Sequence, residues 1–548
     1  MQIFDLQIRE GSVLTTTGNC KISVKIDRTF YGFSISGTLE GRPGKLEVCR
    51  LPVEDKTLLI NNWQSWGPIR MVNLARTRYS FNNTRCEYSR HPLPWLLRQT
   101  PFLSDYFIYV NNTLLGFLSS TIGHPFFVVK ENHVIGYVEY FQREFESPAP
   151  LEKLVIIEGL PLEKALELYA SLVREENRTS FSTWNPVGWC SWYQYYGKLT
   201  WTDVMKNLEL SRKLGMGYQV FQIDDSWQKD IGDWEPNELF PSLEEMASSI
   251  ASHGYAPGIW LAPFSVAESS SVFKSHPEWV VKCEDGSPLL VCQNWGKKIY
   301  ALDVTNPEAS RWLMELFQKI LDAGFRYLKI DFLFMGAVPG VRHKNVTPVE
   351  AYRSGLSLIR KCTEGAFLLG CGAPLLPSVG YVDGMRIGPD TAPVYHMNTS
   401  DPFEINAYNA LKNAIMRHFT HGRWWWNDPD CLLLRLEDTH LDDSARRIYA
   451  IATGALDCIL MESDALSLPI DRELWLEALS LRGGTAELEN IAEDEVKIKV
   501  YGSKKGNLEI DLDLRKKDAR VKVSSNSLPH RTVVRKDGRH FHYYGKVG

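Results

Sequence analysis

From Met1 to about Leu160 apolar and polar positions alternate with period two, in runs such as CKISVKI (20–26) and FFVVKENHVIGYVEYF (126–141), broken at short intervals by Gly, Asn and Pro. Period two is the spacing of strands with one buried face, so this stretch predicts an antiparallel β-sandwich. The pattern then turns helical over PLEKALELYASLVREEN (161–177), which closes a first unit at 1–177. Residues 178–186 read as a linker.

From Val187 onward short apolar runs alternate with helical segments: VGWCSWY, TWTDVMKNLELSRKLG, YQVFQIDD, PSLEEMASSIASHG, APGIWLAP. That alternation is a repeated βα unit. The later strand candidates are YLKIDFLF (327–334), FLLGCG (367–372), GMRIG (384–388), RWWWND (423–428) and ILMESD (459–464), with YALDV (300–304) counted as uncertain. About eight strands remain, the number that closes a (β/α)8 barrel, here placed at 187–470. Alternation returns in EVKIKVYG (495–502) and NLEIDLDLR (507–515), which predicts a C-terminal antiparallel β domain over 471–548. The expected fold is a central (β/α)8 TIM barrel between two antiparallel β domains.

Composition narrows the partners. The chain has 548 residues and a formal net charge of −5, so it offers no basic face to a phosphate backbone, and nucleic acid is excluded as a partner. No apolar run approaches the roughly 20 residues that span a bilayer, and the start MQIFDLQIREGSVL lacks the pattern of a secretory signal. The 10 cysteines are scattered without a CxxC pair, which predicts free thiols in a cytoplasmic protein rather than a zinc site or disulfide framework. The 17 Trp and 23 Tyr stand out, many of them in short polar–aromatic segments. Flat aromatic platforms beside charged hydrogen-bonding groups suit the apolar faces and hydroxyl rims of sugars.

Active sites of this barrel lie where strands end, so the polar residues that close apolar runs carry the chemistry. The candidate strands end in Trp192, Asp224–Asp225, Trp260, Lys329 with Asp331, Cys371, Arg386 with Asp390, and Asp428. Lys329 and Asp331 stand two apart in an extended run and face the same way. A lysine beside the carboxylate favours its ionised, nucleophilic form, although a buried structural ion pair has the same signature.

Asp390 follows Pro389, whose fixed φ favours a defined loop at a strand end. Retaining glycoside cleavage needs two carboxyls about 5–5.5 Å apart, one attacking and one serving first as acid, then as base. Asp331 and Asp390 are the candidates, with Asp383 a rival for the second role that falls nearer the start of its strand. Asp224 and Asp225 together suit two neighbouring sugar hydroxyls, or alternatively a Mg2+ or Ca2+ ion. No further ligand cluster follows them, so neither metal nor cofactor is expected. His418 and His421 read as helix-end packing rather than ligands, and Trp424 to Trp426 as either barrel packing or a sugar platform.

QIDD (222–225), LKIDF (328–332) and RIGPD (386–390), with WCSWY (189–193) and NNWQSWG (61–67), closely resemble the motifs of glycoside hydrolase family 36, in particular its compact α-galactosidases, or melibiases. The resemblance implies Asp331 as nucleophile and Asp390 as acid/base. It also implies galactose contacts from Asp224, Asp225, Trp192, Trp260, Lys329, Cys371 and Arg386, with Trp66 or its neighbour Trp63 reaching over from the N-terminal domain. The activity so implied is exo-acting, retaining hydrolysis of terminal α-linked galactose from substrates such as melibiose and raffinose. The alternatives are galactosyl transfer of the raffinose-synthase kind and a barrel that binds sugar without cleaving it. The oligomeric state is not encoded in any of these motifs.

Overall fold

Eight short strands form one parallel sheet: β1 (Val187–Cys190), β2 (Val220–Ile223), β3 (Ala256–Leu261), β4 (Tyr327–Ile330), β5 (Phe367–Gly370), β6 (Gly384–Arg386), β7 (Trp426–Asp428) and β8 (Leu460–Glu462). Their order is β7-β6-β5-β4-β3-β2-β1-β8: strands β1 to β7 lie beside their sequence neighbours, and β8 pairs with β1. The Ile459 N–H donates to the Asn427 carbonyl at 2.9 Å, drawing the two ends of the sheet into a barrel. Nearly every strand residue is buried, because helices cover the outside and side chains fill the inside. The computed structural model describes residues 2–3, 6–7, 11–17, 20–75, 91–93, 102–396, 401–524, 533–534 and 540–541.

The helices after the strands start where the sequence supplies caps. Thr200 and Asp203 form a capping box at the head of Trp201–Leu214, and Thr347 and Glu350 form another at Pro348–Cys362. Asn306 caps Pro307–Asp322, whose first residue is the proline that fits there. Leu243–Ser252, Ala407–Met416, Asp443–Ala455 and Arg472–Leu481 follow β2, β6, β7 and β8. The last of these is seated on the barrel, where the Trp475 indole N–H donates to the Met216 carbonyl at 2.6 Å. After β5 there is only one turn, Leu375–Ser378.

The N-terminal domain fills the place of that missing helix. Its described strands form a six-stranded and a nine-stranded antiparallel sheet. From them the segment Trp63–Trp66 reaches the loop after β5, where Ser65 N–H donates to the Ala373 carbonyl and Leu375 N–H to the Trp63 carbonyl, both at 2.9 Å. At the other end, Thr485–Glu489, Glu495–Ser503, Gly506–Asp513 and Asp518–Ser524 make a four-stranded antiparallel sheet in sequential order. The architecture is the (β/α)8 barrel flanked by antiparallel β domains that the alternation predicts.

The uncertain run at 300–304 is not a barrel strand. Its first residues end Lys297–Ala301, which pairs with Leu290–Asn294 and Ser265–Ala267 in a separate three-stranded antiparallel sheet inserted after β3. Among the described residues no helix is long and apolar enough to cross a membrane.

Candidate active site

Strand β4 ends in Lys329, Ile330 and then Asp331, so the ammonium and the carboxylate both emerge at the barrel mouth. The Asp331 carboxylate is 6% exposed. Its Oδ2 accepts the Trp260 indole N–H from β3 at 3.0 Å, and its Oδ1 accepts the backbone N–H of Phe332 at 2.7 Å. The Cys371 thiol, just after β5, also hydrogen-bonds it. Burial raises the Asp331 pKa above the ordinary carboxylate value, against the opposing pull of Lys329 and these donors. Phe332 has φ of 52°, a costly conformation for an aromatic residue and one that concentrates at functional sites.

Lys329 donates from Nζ to Asp224 Oδ2 at 2.9 Å. Burial opposes its charge, but Asp224 and the nearby Cys190, Cys371 and Asp331 overcome this and hold its pKa well above the lysine range. The Gln222 side chain donates to the same Asp224 oxygen at 2.6 Å. Asp225 turns the other way: its Oδ1 accepts Gln228 Nε2 at 2.6 Å and its Oδ2 accepts the Trp295 indole N–H at 2.7 Å. Burial, together with Asp224, raises its pKa. The lysine ammonium thus occupies the cationic place that a metal ion would take beside Asp224.

Arg386 ends β6 and is 2% exposed. From Nη2 it donates to Asp390 Oδ1 at 2.7 Å and to Asp430 Oδ2 at 2.5 Å. The Asp390 side chain is 35% exposed, at the open side of the site. Burial, and after it the charge of Asp331 and more weakly that of Asp390, pushes the Cys371 thiol pKa well up, against the pull of Arg386 and Lys329. Trp192 is half-buried, its ring edge-on to Tyr196 at 5.3 Å.

Trp66, not Trp63, reaches this centre. Its indole N–H points at Cys371 Sγ, 3.2 Å away, and its ring meets Phe332 edge-on at 5.0 Å. Gly372, with φ of 55°, lies under that ring, where a Cβ would come within 3.0 Å of it. Trp63 is 1% exposed and packs against Phe334, His91 and His124. Asp383 sits at the start of β6, tied by Arg360 at 2.7 Å and the Leu368 N–H at 2.8 Å, away from the mouth. Trp424 and Trp426 donate to the Ala170 and Ser182 carbonyls, so these indoles pack the barrel against the preceding helix and linker.

Three participants are not read from the sequence. Asp430 is buried, accepts the backbone N–H of Thr391 at 2.7 Å and the Tyr193 hydroxyl on its Oδ2, and has its pKa pushed up to about 6 by burial against the pull of Arg386. The same two-residue spacing that joins Lys329 to Asp331 joins Asp428 to Asp430 in WNDPD, and was the available signal. Tyr193 follows Trp192 in the WCSWY run. Trp295 carries no comparable signal, because it arrives on the inserted hairpin.

A second polar cluster, His91, Asp105 and His124, has potential metal-ligand atoms within 4.8 Å of one another. Leu93 N–H donates to His91 Nδ1 at 3.0 Å, which fixes the proton on Nε2. That nitrogen therefore donates to Asp105 Oδ1, 2.8 Å away, and has no lone pair for a metal. All described cysteines are free thiols.

Carboxylates after β2, β4 and β6 at the C-terminal mouth of a (β/α)8 barrel, with indoles between them, define a barrel glycoside hydrolase. Family models for the α-galactosidase N-terminal domain and for melibiase match residues 25–158 and 153–352, and the chain belongs to the α-galactosidases of glycoside hydrolase family 36. An α-galactosidase from Thermus thermophilus, solved with stachyose, is 27% identical with a TM-score of 0.71 over 86% of this chain and 100% of that one. The same enzyme with p-nitrophenyl α-D-galactopyranoside gives 26% and 0.74 over 93% and 100%. Among curated proteins, the bifunctional α-galactosidase/sucrose kinase AgaSK of Mediterraneibacter gnavus is 26% identical over 27% of this chain, and α-galactosidase Mel36A of Lactobacillus acidophilus 25% over 35%. The matched stretches span 16% and 26% of those two relatives.

Proposed function

We propose that the protein is an exo-acting, retaining α-galactosidase that hydrolyses terminal α-linked galactose from oligosaccharides. The observation that carries this reading is the pair of carboxylates that follow barrel strands at the mouth: Asp331 after β4, buried among indole, thiol and ammonium, and Asp390 after β6, a third exposed beside Arg386. In the proposed cycle an Asp331 carboxylate oxygen attacks the anomeric carbon and forms an ester bond. The glycosidic C–O bond breaks, and Asp390 gives its proton to the departing oxygen. Asp390 then takes a proton from water, whose oxygen attacks the anomeric carbon and releases Asp331. The second carboxyl is required about 5–5.5 Å from the first.

Asp224 and Asp225 supply acceptors for sugar hydroxyls, with Lys329, Trp260, Trp192, Trp66, Cys371 and Arg386 completing the pocket. Stachyose in the Thermus thermophilus relative supports raffinose-series substrates. Residues 187–470, together with the helix Arg472–Leu481 that packs on the barrel, are assigned the catalytic role; 1–177 supplies Trp66, 178–186 joins the two, and the remainder of 471–548 forms the C-terminal β domain. A cytoplasmic location is proposed from the free thiols.

The test is release of p-nitrophenol from p-nitrophenyl α-galactoside, followed for the parent and for Asp331→Gly. The parent should turn over, and the variant should lose activity and regain it with azide. An inactive parent rejects the reading. An active Asp331→Gly variant, without azide, rejects the nucleophile.

A further inference from the structure

One carboxylate at the centre of the site touches neither the proposed nucleophile nor the solvent. Asp430 is 3% exposed, with φ of 83°, two residues beyond the end of β7. Three donors converge on its Oδ2: Arg386 Nη2 at 2.5 Å, the Thr391 N–H at 2.7 Å and the Tyr193 hydroxyl. Its own N–H is anchored on Asp428 Oδ1 at 2.9 Å. Arg386 Nη2 is shared, because it donates at 2.7 Å to Asp390, the group assigned the proton transfer. One guanidinium therefore serves two carboxylates of opposite circumstance, one sealed in the barrel and one open to the mouth.

A general acid beside an uncompensated guanidinium is poorly placed, since the neighbouring positive charge favours its ionised form. Asp430 is the remedy built into this site. We propose that Asp430 is a positioning residue for proton transfer: it neutralises and aims Arg386, so that Arg386 orients Asp390 without stripping it of its proton. This rests on the reading of Asp390 as acid/base given above.

The other titratable groups around this pair come from the neighbouring strand ends. Tyr193 and Tyr196 follow β1, and Cys371 follows β5. Asp428 ends β7, Lys329 stands on β4, and Tyr449 faces from the helix Asp443–Ala455. Of the carboxylates, Asp430 alone shares a guanidinium with Asp390 among the described contacts. Asp428 has no hydrogen bond to Arg386 and acts on it only through space.

The experiment compares pH profiles of kcat/KM for the parent, Asp430→Asn and Tyr193→Phe, using p-nitrophenyl α-galactoside and melibiose. The Asp430→Asn change keeps an oxygen for the Thr391 and Tyr193 donors and deletes only the charge. In that variant the alkaline limb should move to lower pH by about one unit, the small end of what an unbalanced neighbouring charge does. Above the limb this is about a tenfold smaller protonated fraction, so melibiose, with its poor leaving group, should lose about tenfold more than the aryl substrate. Tyr193→Phe withdraws a neutral hydrogen bond from the same oxygen, and should lower kcat without moving the limb.

An Asp430→Asn profile that falls uniformly, with its alkaline limb in place, overturns the proposal. So does a Tyr193→Phe limb displaced as far, which would assign the effect to packing rather than charge; this arm stands even if the asparagine variant does not fold. An inactive parent refutes the glycosidase reading and this role together, whereas an active parent with an unmoved limb refutes this role alone.

Discussion

The indole N–H of Trp66 points at Sγ of Cys371 across 3.2 Å, joining a segment of the N-terminal domain to the barrel at the thiol that also hydrogen-bonds Asp331. The two residues are 305 positions apart in sequence. Their meeting depends on the absence of a full helix after β5, which leaves the loop at Gly372 open to the incoming ring. The proposed pocket is therefore assembled between two domains rather than carried by the barrel alone.

Trp66→Ala should show what this junction contributes. Loss of two edge-on aromatic contacts and one weak hydrogen bond is worth roughly 1–2 kcal/mol, so KM for p-nitrophenyl α-galactoside should rise about five- to thirtyfold, with a smaller change in kcat. An unchanged KM in the folded variant would remove Trp66 from the pocket.

In the proposed mechanism Asp331 is the group expected to set the acid limb of the activity profile. Burial raises its pKa, and only the ionised form attacks, so activity present at neutral pH should be lost as pH falls through a value above the ordinary carboxylate value of about 3.9. Trp260→Phe removes a donor that favours the carboxylate and should move this limb further up. A limb that stays put or moves down contradicts the role given to that hydrogen bond.

For Asp390 the diagnostic is the leaving group. Asp390→Ala should slow melibiose turnover by about 10²–10⁴-fold, the scale of general acid catalysis, and activated aryl galactosides far less. Parallel losses on both kinds of substrate would assign the proton to another group.

Much of this was legible from residue spacing. The eight barrel strands are short apolar runs ended by polar residues, and parallel strands covered on both faces leave that signature directly in the sequence. The run at 300–304 has the same apolar character but belongs to the inserted sheet, since a short apolar run does not say which sheet will bury it. Whether Trp63 or Trp66 turns inward is likewise decided by long-range packing: Trp63 is enclosed by two histidines and Phe334, which leaves Trp66 to the mouth. Asp430 escaped because its neighbour Asp428 ends the strand and drew the assignment. Its partners Arg386, Thr391 and Tyr193 are brought to it only by closure of the barrel.

Trp295→Phe should separate Asp225 from its indole donor without emptying the space. A single hydrogen bond to a carboxylate of this kind is worth about 1.5–3 kcal/mol, so kcat/KM should fall by roughly tenfold or more. A variant that matches the parent would show that Gln228 alone suffices to orient Asp225.

That indole arrives on the hairpin Leu290–Ala301, whose backbone pairs with Ser265–Ala267 and with no strand of the barrel. Its length and composition can consequently drift under mutation while the eight-stranded scaffold keeps its register. Asp224 is bound to the barrel strands through Lys329 and Gln222, whereas Asp225 is held by Gln228 in the loop after β2 and by the indole of this hairpin. Of two adjacent acids, one is thus fixed by the barrel strands and the other partly by an inserted hairpin, so changes to that hairpin reach Asp225 while leaving the eight strands untouched.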